Sequence, residues 1–285
     1  MTELDIIGVG VWSTSFSNWH EFSTGLSTGN WKTDARIQPT LMSARERRRA
    51  PQSVKMAIEV MNQACEMAAL NPAGIAAVFS SSMGDMQITD YLGRTLSTTP
   101  RLVSPTQFHN SVHNASTGYW SIATRSNAPT TAISAYSYSA PMAFMEAAIQ
   151  ASEGEVPILI VTQEMAAPLA LRETCPSKQP FSAALLLAPV GYCTSPVASI
   201  HFTVTRGSVD WPELPEDLQE NLSGNPGARL VPLLAAIATN EGTQTQPLVS
   251  ADCMKVVAST RFGFPLTPNL RLDLSLIPDG APDPD

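Results

Sequence analysis

The sequence predicts an α/β fold in which helices cover the faces of a parallel sheet. Short apolar runs of strand length alternate with longer amphipathic runs through residues 1–190, as in folds where strands and helices alternate. The chain has 285 residues, of which 44% are hydrophobic. That is enough apolar material for one large core or for two closely packed halves.

Residues 4–12, LDIIGVGVW, predict the first strand. They contain Gly8 and Gly10, and a Gly-x-Gly pair after a strand is part of the signature for dinucleotide binding. The third glycine and the acidic ribose-binding residue of that signature are absent. We therefore interpret the two glycines as a tight exit from the strand.

Residues 52–70 are the clearest helix, because apolar side chains recur there at steps of three or four residues. These side chains are Val54, Ile58, Met61, Cys65 and Ala68. The Asn71-Pro72 pair predicts the end of the helix, and residues 75–79 predict a buried strand after it.

The most informative stretch is residues 127–164. Within it, residues 130–137 predict a strand, residues 138–152 a helix with small residues on its inner face, and residues 157–162 a buried strand. The turn between the first strand and the helix lies beside the helix N-terminus, where backbone N–H groups favour a thiolate or an oxyanion. Ser137 occupies that turn.

This stretch resembles the active-site turn of the β-ketoacyl synthases, which are members of the thiolase superfamily. In those enzymes a strand led by proline ends eight residues later in the nucleophilic cysteine, and the next helix carries a double alanine. Counting forward from Pro129, or back from Ala147 and Ala148, gives Ser137 at the cysteine position, so the cysteine is missing. Upstream, the SVHNA motif of residues 111–115 resembles the chain-length-factor proteins of aryl-polyene and related polyene systems.

The resemblance implies a thiolase-like α/β fold, with an N-terminal ketosynthase-type half at residues 1–190 and a reduced, divergent C-terminal half at residues 191–285. Residues 108–124 are then the helical segment before the strand at 130–137, and residues 181–189 are a strand near the active centre. A complete ketosynthase carries two histidine motifs in its second half. Neither motif occurs in this sequence.

The C-terminal part has a weaker pattern. Residues 200–206, IHFTVTR, alternate as in a half-exposed strand, and residues 211–226 are rich in Pro, Glu and Gly, as in a loop or linker. The remaining predicted elements are a helix at residues 228–240 that starts near Pro232, strands at residues 256–259 and 270–276, and a disordered acidic tail, PDGAPDPD.

The resemblance also implies a function. The chain is expected to be a non-catalytic chain-length factor that forms a heterodimer with a cysteine-bearing ketosynthase through the strand at 130–137 and meets an acyl carrier protein transiently. It would shape the partner's acyl channel in polyene or fatty-acid-like biosynthesis. Flat rings and adaptable methionines suit a long apolar guest, although the same residues can fill a core. The expected channel and interface residues are Phe108, His113, Asn114, Ile133, Tyr136, Tyr138 and Met142.

An alternative function is a free-standing serine acyltransferase or hydrolase that uses Ser137 with His113. A serine hydroxyl does not ionise near neutrality, so it needs a neighbouring general base. The flanking Tyr136 and Tyr138 replace the small residues that a G-x-S-x-G turn requires. This favours a structural Ser137, and no catalytic residue is expected in the chain.

His109 and His113 are four residues apart, the spacing of two metal ligands on one helical turn. No third ligand or adjacent glutamate accompanies them, so no metal is expected. We predict instead that Asn110 and Asn114 tie loops to the helix and that His113 caps backbone near Ser137. Glu164 is predicted to make internal hydrogen bonds, as the resemblance implies.

Composition excludes several classes of function. The formal net charge of −8 and the charged fraction of 15% argue against nucleic acid as a partner. The one basic run, at residues 45–49, is either a solvated helix face, which we favour, or a docking patch for an acidic carrier protein.

No apolar run is long enough to span a membrane and no signal peptide begins the chain, so a cytoplasmic protein is expected. No cofactor is expected, and the cysteines are interpreted as free thiols: Cys65, Cys175, Cys193 and Cys253.

Overall fold

The computed structural model describes residues 2–244 and 261–277. The strands are β1 (Thr2–Ser13), β2 (Ala76–Ser80), β3 (Thr130–Ile133), β4 (Ile158–Glu164), β5 (Phe181–Ala188), β6 (Ala198–Arg206), β7 (Arg261–Thr267) and β8 (Leu270–Ile277). The helices are α1 (Trp19–Thr28), α2 (Ala44–Arg49), α3 (Gln52–Met67), α4 (Met86–Thr98), α5 (Pro105–His109), α6 (Ala115–Thr124), α7 (Ser139–Gly154), α8 (Glu216–Leu222) and α9 (Val231–Gln244). No helix in this described part of the chain is long and apolar enough to cross a membrane.

The strands form one mixed sheet in the order β3-β2-β4-β5-β1-β6-β8-β7. β2 pairs in parallel with β3 and β4, whereas the other neighbouring pairs are antiparallel, so the prediction of a parallel sheet is wrong for most of the sheet. Parallel pairing needs a crossover connection. The segment from α4 to α6 supplies one between β2 and β3, and α7 supplies one between β3 and β4. β5 follows β4 through a loop that contains only a 3₁₀ turn, and it therefore runs antiparallel.

Apolar layers cover both faces of the sheet. On one face α3 packs against the strands, and Met61 shares a buried cluster with Leu186 of β5. On the other face α7 and α9 cover the strands, and Ala147 shares a cluster with Leu234. β4 lies between these layers, and all seven of its residues are buried. The end of β4 is therefore fixed deep inside the protein.

Most of the predicted elements are confirmed with small shifts at their ends. These are the strands at residues 4–12, 75–79, 157–162, 181–189, 200–206 and 270–276, and the helices at residues 52–70, 138–152 and 228–240. Small residues on the inner face of α7 are confirmed as well, since Ala143, Ala147, Ala148 and Ala151 are buried. The predicted strand at residues 256–259 and the acidic tail after Ile277 lie outside the described residues.

Three predicted boundaries are wrong. The strand at residues 130–137 ends at Ile133, because the chain leaves the extended conformation before Ser137. The helical segment at residues 108–124 is divided between α5 and α6 by a non-helical stretch. The predicted linker at residues 211–226 contains α8, whose first turn carries Glu216 and Asp217, acids that stabilise a helix N-terminus.

Gly8 and Gly10 lie inside β1 and not at its exit, so the interpretation as a tight strand exit is wrong. A Cβ atom on Gly10 would lie 1.9 Å from the carbonyl oxygen of Val60 in α3, and one on Gly8 would lie 2.1 Å from that of Ala64. The absence of side chains lets α3 approach the backbone of β1. This close packing accounts for both glycines without a dinucleotide.

We expect Gly10→Ala to lower the free energy of unfolding by about 1–3 kcal/mol, because the added methyl group forces α3 away from β1. Gly93→Ala is the matched control: Gly93 is exposed in α4 and has open space around its Cβ position. That variant should gain about 0.5–1 kcal/mol from helix propensity. Denaturant unfolding of both variants is the measurement, and a Gly10→Ala variant as stable as the wild type would contradict the packing argument.

Candidate functional site

Residues 134–139, which we call the elbow, connect the end of β3 to the start of α7. Tyr136–Tyr138 form a 3₁₀ turn, and Ser137 is its central residue. The Ser139 hydroxyl accepts a hydrogen bond from the Ala135 N–H at 2.9 Å and donates one to the Tyr136 carbonyl at 2.7 Å. The buried side chain of Ser139, the first residue of α7, therefore holds the elbow in its turn conformation.

Tyr136 has a strained backbone. Its φ is +51°, in the left-handed region that bulky residues rarely adopt. Its side chain is 49% exposed, and its hydroxyl donates a hydrogen bond to the Thr174 carbonyl at 2.7 Å. The residue that carries the strain of the elbow therefore precedes Ser137 and is anchored to the loop between β4 and β5.

Tyr138 anchors the other side of Ser137. Its ring stacks on Trp211, with centroids 5.9 Å apart and planes inclined by 25°. The Arg229 guanidinium lies over the same indole, 4.4 Å from its centroid. Ser137 is consequently flanked by two tyrosines that are each fixed by a contact distant in sequence.

A polar cluster around the buried Glu164 lies beside the elbow, where β2, β3 and β4 end. The Glu164 carboxylate accepts hydrogen bonds from the backbone N–H of Ser82, from the Ser82 hydroxyl at 3.2 Å and from the Ser81 hydroxyl at 3.4 Å. The Ser134 hydroxyl donates to the Ser82 carbonyl at 2.9 Å. Glu164 is 1% exposed, and its predicted internal hydrogen bonding is confirmed.

Burial raises the pKa of Glu164 to about 8, although the three hydrogen bonds from Ser81 and Ser82 act in the opposite direction. The charged form is disfavoured because the carboxyl group has no contact with water. The elbow therefore has a group near it that changes protonation close to neutral pH.

His113 lies within this cluster, because its ring Nε2–H donates to the Ser81 carbonyl at 2.8 Å. The prediction that His113 caps backbone near the elbow is confirmed. Its Nε2 is thereby occupied by a backbone carbonyl. Ser137 and His113 make no hydrogen bond to each other among the contacts of the described residues.

The structure corrects two interpretations of the HNSVHN motif. His109 ends α5 and His113 lies in the stretch before α6, so they do not share one helical turn. Within residues 2–244 and 261–277, no group of three or more His, Cys, Asp or Glu side chains is placed to hold a metal ion. Asn110 does tie α2 to this segment through the Arg49 carbonyl, at 3.1 Å, whereas the Asn114 side chain makes no cap hydrogen bond.

The apolar residues assigned to a channel are dispersed. Phe108 lies on α5 with 65% of its surface exposed, whereas Phe144 of α7 is fully buried in the core. Met142 and Ile133 are partly buried against the core cluster under α7. Of this set, Tyr136 and Tyr138 flank Ser137 directly.

Sequence reasoning missed Trp211 and Arg229. Trp211 falls in the segment interpreted as a linker, and Arg229 lies in a 3₁₀ turn, Gly227–Leu230, just before α9. A tryptophan in a stretch otherwise rich in Pro, Glu and Gly was the available signal, since large aromatic side chains rarely remain unpacked.

We expect the free energy of unfolding to fall as pH rises from about 5 to about 8. A carboxyl group whose pKa is raised on folding binds more protons in the folded state, so its contribution is present below its unfolded pKa and is lost as pH rises through the folded value. Glu164→Gln should remove most of this fall, which is on the order of a few kcal/mol. Denaturant unfolding at several pH values is the measurement.

Glu153→Gln removes an exposed carboxyl group from α7 and should reproduce the wild-type pH profile. If Glu164→Gln retained the full pH dependence, the assignment of the fall to Glu164 would be refuted.

Comparisons with known proteins agree with this geometry. The family model of the β-ketoacyl synthase N-terminal domain matches residues 18–219, more than half of the chain. A comparison with curated proteins finds no match.

Among solved structures, a ketosynthase (ApeO) in complex with its chain length factor (ApeC) from Xenorhabdus doucetiae matches with a TM-score of 0.65 and 18% identity, over 96% of this chain and 100% of the matched chain. The ishigamide ketosynthase/chain length factor matches with a TM-score of 0.72 and 14% identity, over 97% of this chain and 99% of the matched chain. A type II PKS acyl-carrier protein in complex with its ketosynthase bound to the hexaketide (AntDE:AntF) matches with a TM-score of 0.71 and 13% identity. This match covers 96% of this chain and 99% of the matched chain.

These likenesses confirm the thiolase-like ketosynthase fold. The match at residues 18–219 includes the elbow, whose central residue is Ser137 and which contains no cysteine. The chain belongs to the β-ketoacyl synthase family.

Proposed function

We propose that this chain is a non-catalytic chain-length factor that forms a heterodimer with a cysteine-bearing ketosynthase and shapes its acyl channel in polyene or fatty-acid-like biosynthesis. The observation that carries the proposal is the elbow. It keeps the strand, turn and helix of a ketosynthase active site, but it holds a serine between two anchored tyrosines. An enzyme of this family needs a thiolate there. The working nucleophile is therefore assigned to a partner.

The edge of the sheet supports this pairing. β3 is the first strand of the sheet order, and within residues 2–244 and 261–277 it pairs with β2 alone. Its sequence, Thr-Thr-Ala-Ile, carries no charge, proline or bulge that would discourage another strand from pairing. An uncharged free edge is an aggregation hazard in a lone protein, so a partner strand is expected to cover it.

The structural neighbours support the same assembly. Two of them are complexes of a ketosynthase with a chain length factor, and a third contains a ketosynthase and an acyl-carrier protein. By analogy, we propose that residues 1–190 supply the ketosynthase-type half and residues 191–285 a reduced second half, whose strands β6, β8 and β7 extend the same sheet. A cytoplasmic location, without cofactor, fits this role.

We propose that α2 is the docking surface for the transient acyl carrier, the less favoured of the two interpretations of its basic run. Its arginines, Arg45, Arg47, Arg48 and Arg49, are exposed, and no acid of the described residues forms an ion pair with them. A capping box between Ser43 and Glu46 fixes the start of the helix. Grooves of about 820 Å³ and 470 Å³ lie on its two sides. A concentrated positive surface on a chain of net charge −8 favours an acidic protein over a neutral one.

The serine-enzyme alternative has less support. Among the described residues, His113, the expected base, makes its hydrogen bond to the Ser81 carbonyl and none to Ser137, and Ser139 already occupies the hydrogen-bonding groups of the turn around Ser137. A serine nucleophile would need both a free base and an open turn.

Ala132→Pro should abolish copurification with the ketosynthase and leave the fold of this chain intact. The carbonyl groups of Pro129 and Ile133 accept hydrogen bonds from the N–H groups of Ala77 in β2 and of Ser81 just after it, at 3.0 and 3.3 Å. The backbone groups of Ala132 between them therefore point to the free edge. Proline is tolerated on an edge strand where the N–H faces outward, but it removes the donor that a partner strand would use. Copurification and far-UV circular dichroism are the measurements.

Ala132→Val is the matched control, since it adds a side chain but keeps the N–H, and it should still form the complex. A stable complex with Ala132→Pro would show that the interface does not run through β3.

In the assembled complex, Ser137→Ala should leave the rate of condensation within about twofold of the wild type, because the thiolate lies on the partner. Loss of a catalytic nucleophile costs several orders of magnitude. Tyr138→Ala should instead lengthen the carrier-bound products at a similar rate, because it removes an aromatic wall beside the elbow.

Mass spectrometry of carrier-bound products measures both effects, and Phe144→Leu serves as a core control that leaves product length unchanged. A collapse of activity in Ser137→Ala with the complex still assembled would establish the serine enzyme. Unchanged products from Tyr138→Ala would place the channel wall elsewhere.

A further inference from the structure

The Arg229 guanidinium is half-buried and lacks an anionic partner. Its Nε is shielded from solvent and makes no hydrogen bond. No Asp or Glu in residues 2–244 and 261–277 forms an ion pair with it. Desolvation lowers the pKa of this guanidinium. A partly buried charge without a partner destabilises a fold, so an anion from outside the chain would relieve this cost.

The backbone that carries Arg229 is held by hydrogen bonds and close packing. Asn225, which is 1% exposed, accepts hydrogen bonds through its side-chain oxygen from the N–H groups of Gly227 and Ala228, at 2.9 and 3.2 Å. Its amide donates to the Gln179 carbonyl at 2.9 Å. Gly227 lies so close to the end of β4 that a Cβ would be 2.8 Å from the Thr162 hydroxyl. Arg229 is thus held in position relative to the sheet.

The side chain of Arg229 is oriented by aromatic groups. Its guanidinium lies 4.4 Å from the centroid of the Trp211 ring, and Trp211 stacks on Tyr138 of the elbow. Contact with an aromatic face leaves the terminal N–H donors of the guanidinium, which unlike Nε are not among the solvent-shielded unpaired atoms, to bind other groups. The Arg229 guanidinium, the Trp211 indole and the Tyr138 ring therefore form one continuous stack, and Tyr138 is the residue next to Ser137.

We propose that Arg229, Trp211 and Tyr138 form a binding site for a small oxyanion, a carboxylate or a phosphate group, beside the elbow. The planar fork of a guanidinium matches two oxygens of either group. Because the donors are oriented before the ligand arrives, little conformational freedom is lost on binding. The site goes beyond the proposed function, since neither pairing through β3 nor a wall at Tyr138 requires an anion.

The exposed arginines of α2 are a second place where anions can gather. They are solvated and project from one short helix, so they offer charge without a fixed geometry. Binding there would fall with ionic strength, whereas a partly desolvated site is screened less.

The test uses the full chain, together with any partner that it retains on purification. It is titrated with inorganic phosphate and, separately, with acetate, at an ionic strength held constant with sodium chloride. We expect one or both anions to raise the melting temperature and to change tryptophan fluorescence saturably. Arg229→Gln should weaken this response by at least about tenfold, which corresponds to the loss of one charge-assisted contact. Arg229→Lys should retain part of it.

Two controls locate the site. The α2 double variant Arg47→Gln/Arg48→Gln should respond as the wild type does, and so should Arg94→Gln, which removes an exposed arginine that is already paired with Asp90. Arg229→Met keeps an apolar contact with Trp211 and must also lose the response. It provides a second test of the site in case Arg229→Gln does not fold. The anion that acts identifies the ligand as a carboxylate or a phosphate. No saturable response in the wild type, a full response in Arg229→Met, or a response lost in the α2 double variant would each overturn the proposal.

Discussion

Glu164 is a carboxyl group without access to water, and the arrangement of the neighbouring strand ends depends on providing it with hydrogen-bond donors. β4 is buried along its whole length, so its last residue cannot turn to solvent. The donors come from Ser81 and Ser82, which determines where the chain leaves β2. The carbonyl groups of the same two serines then accept from His113 and Ser134, which positions the segment before α6 and the end of β3. One desolvated carboxyl group thus organises three strand ends.

The elbow starts from this fixed point, and its strain is offset locally. A left-handed backbone at a tyrosine costs on the order of 1–3 kcal/mol. The hydroxyl of Tyr136 recovers part of this cost at Thr174, and Ser139 binds its carbonyl. On the other side, Tyr138 packs on Trp211. Bulk on both sides of Ser137 suits a wall that a guest molecule touches and does not suit a turn that must admit a reacting group.

The parts that follow from local pattern were predictable. The periodicity of α3 and the apolar run of β4 are visible in the sequence, and the spacing from Pro129 to Ala147 places Ser137 in the turn. The direction of β5 was not predictable, because a continuous apolar run describes a buried strand of either direction. The Trp211 and Arg229 contacts were missed because a pairing between residues so distant in sequence leaves no periodic trace. The conformation of Tyr136 opposes its intrinsic preference and is imposed by tertiary contacts.

Three features of this chain are unfavourable for a protein that acts alone. Among the described residues, β3 has a free and uncharged edge, the arginines of α2 form no ion pair, and Arg229 forms none with an acid. Each feature has a different complement: a strand, an acidic surface and a small oxyanion. Because the complements differ chemically, their binding events are separable in principle, and loss of one need not abolish the others. Under the proposed function, β3 continues into the elbow and Trp211 connects Arg229 to it through Tyr138, so two of these three surfaces meet beside Ser137. The same proposal assigns the chemistry itself to the partner.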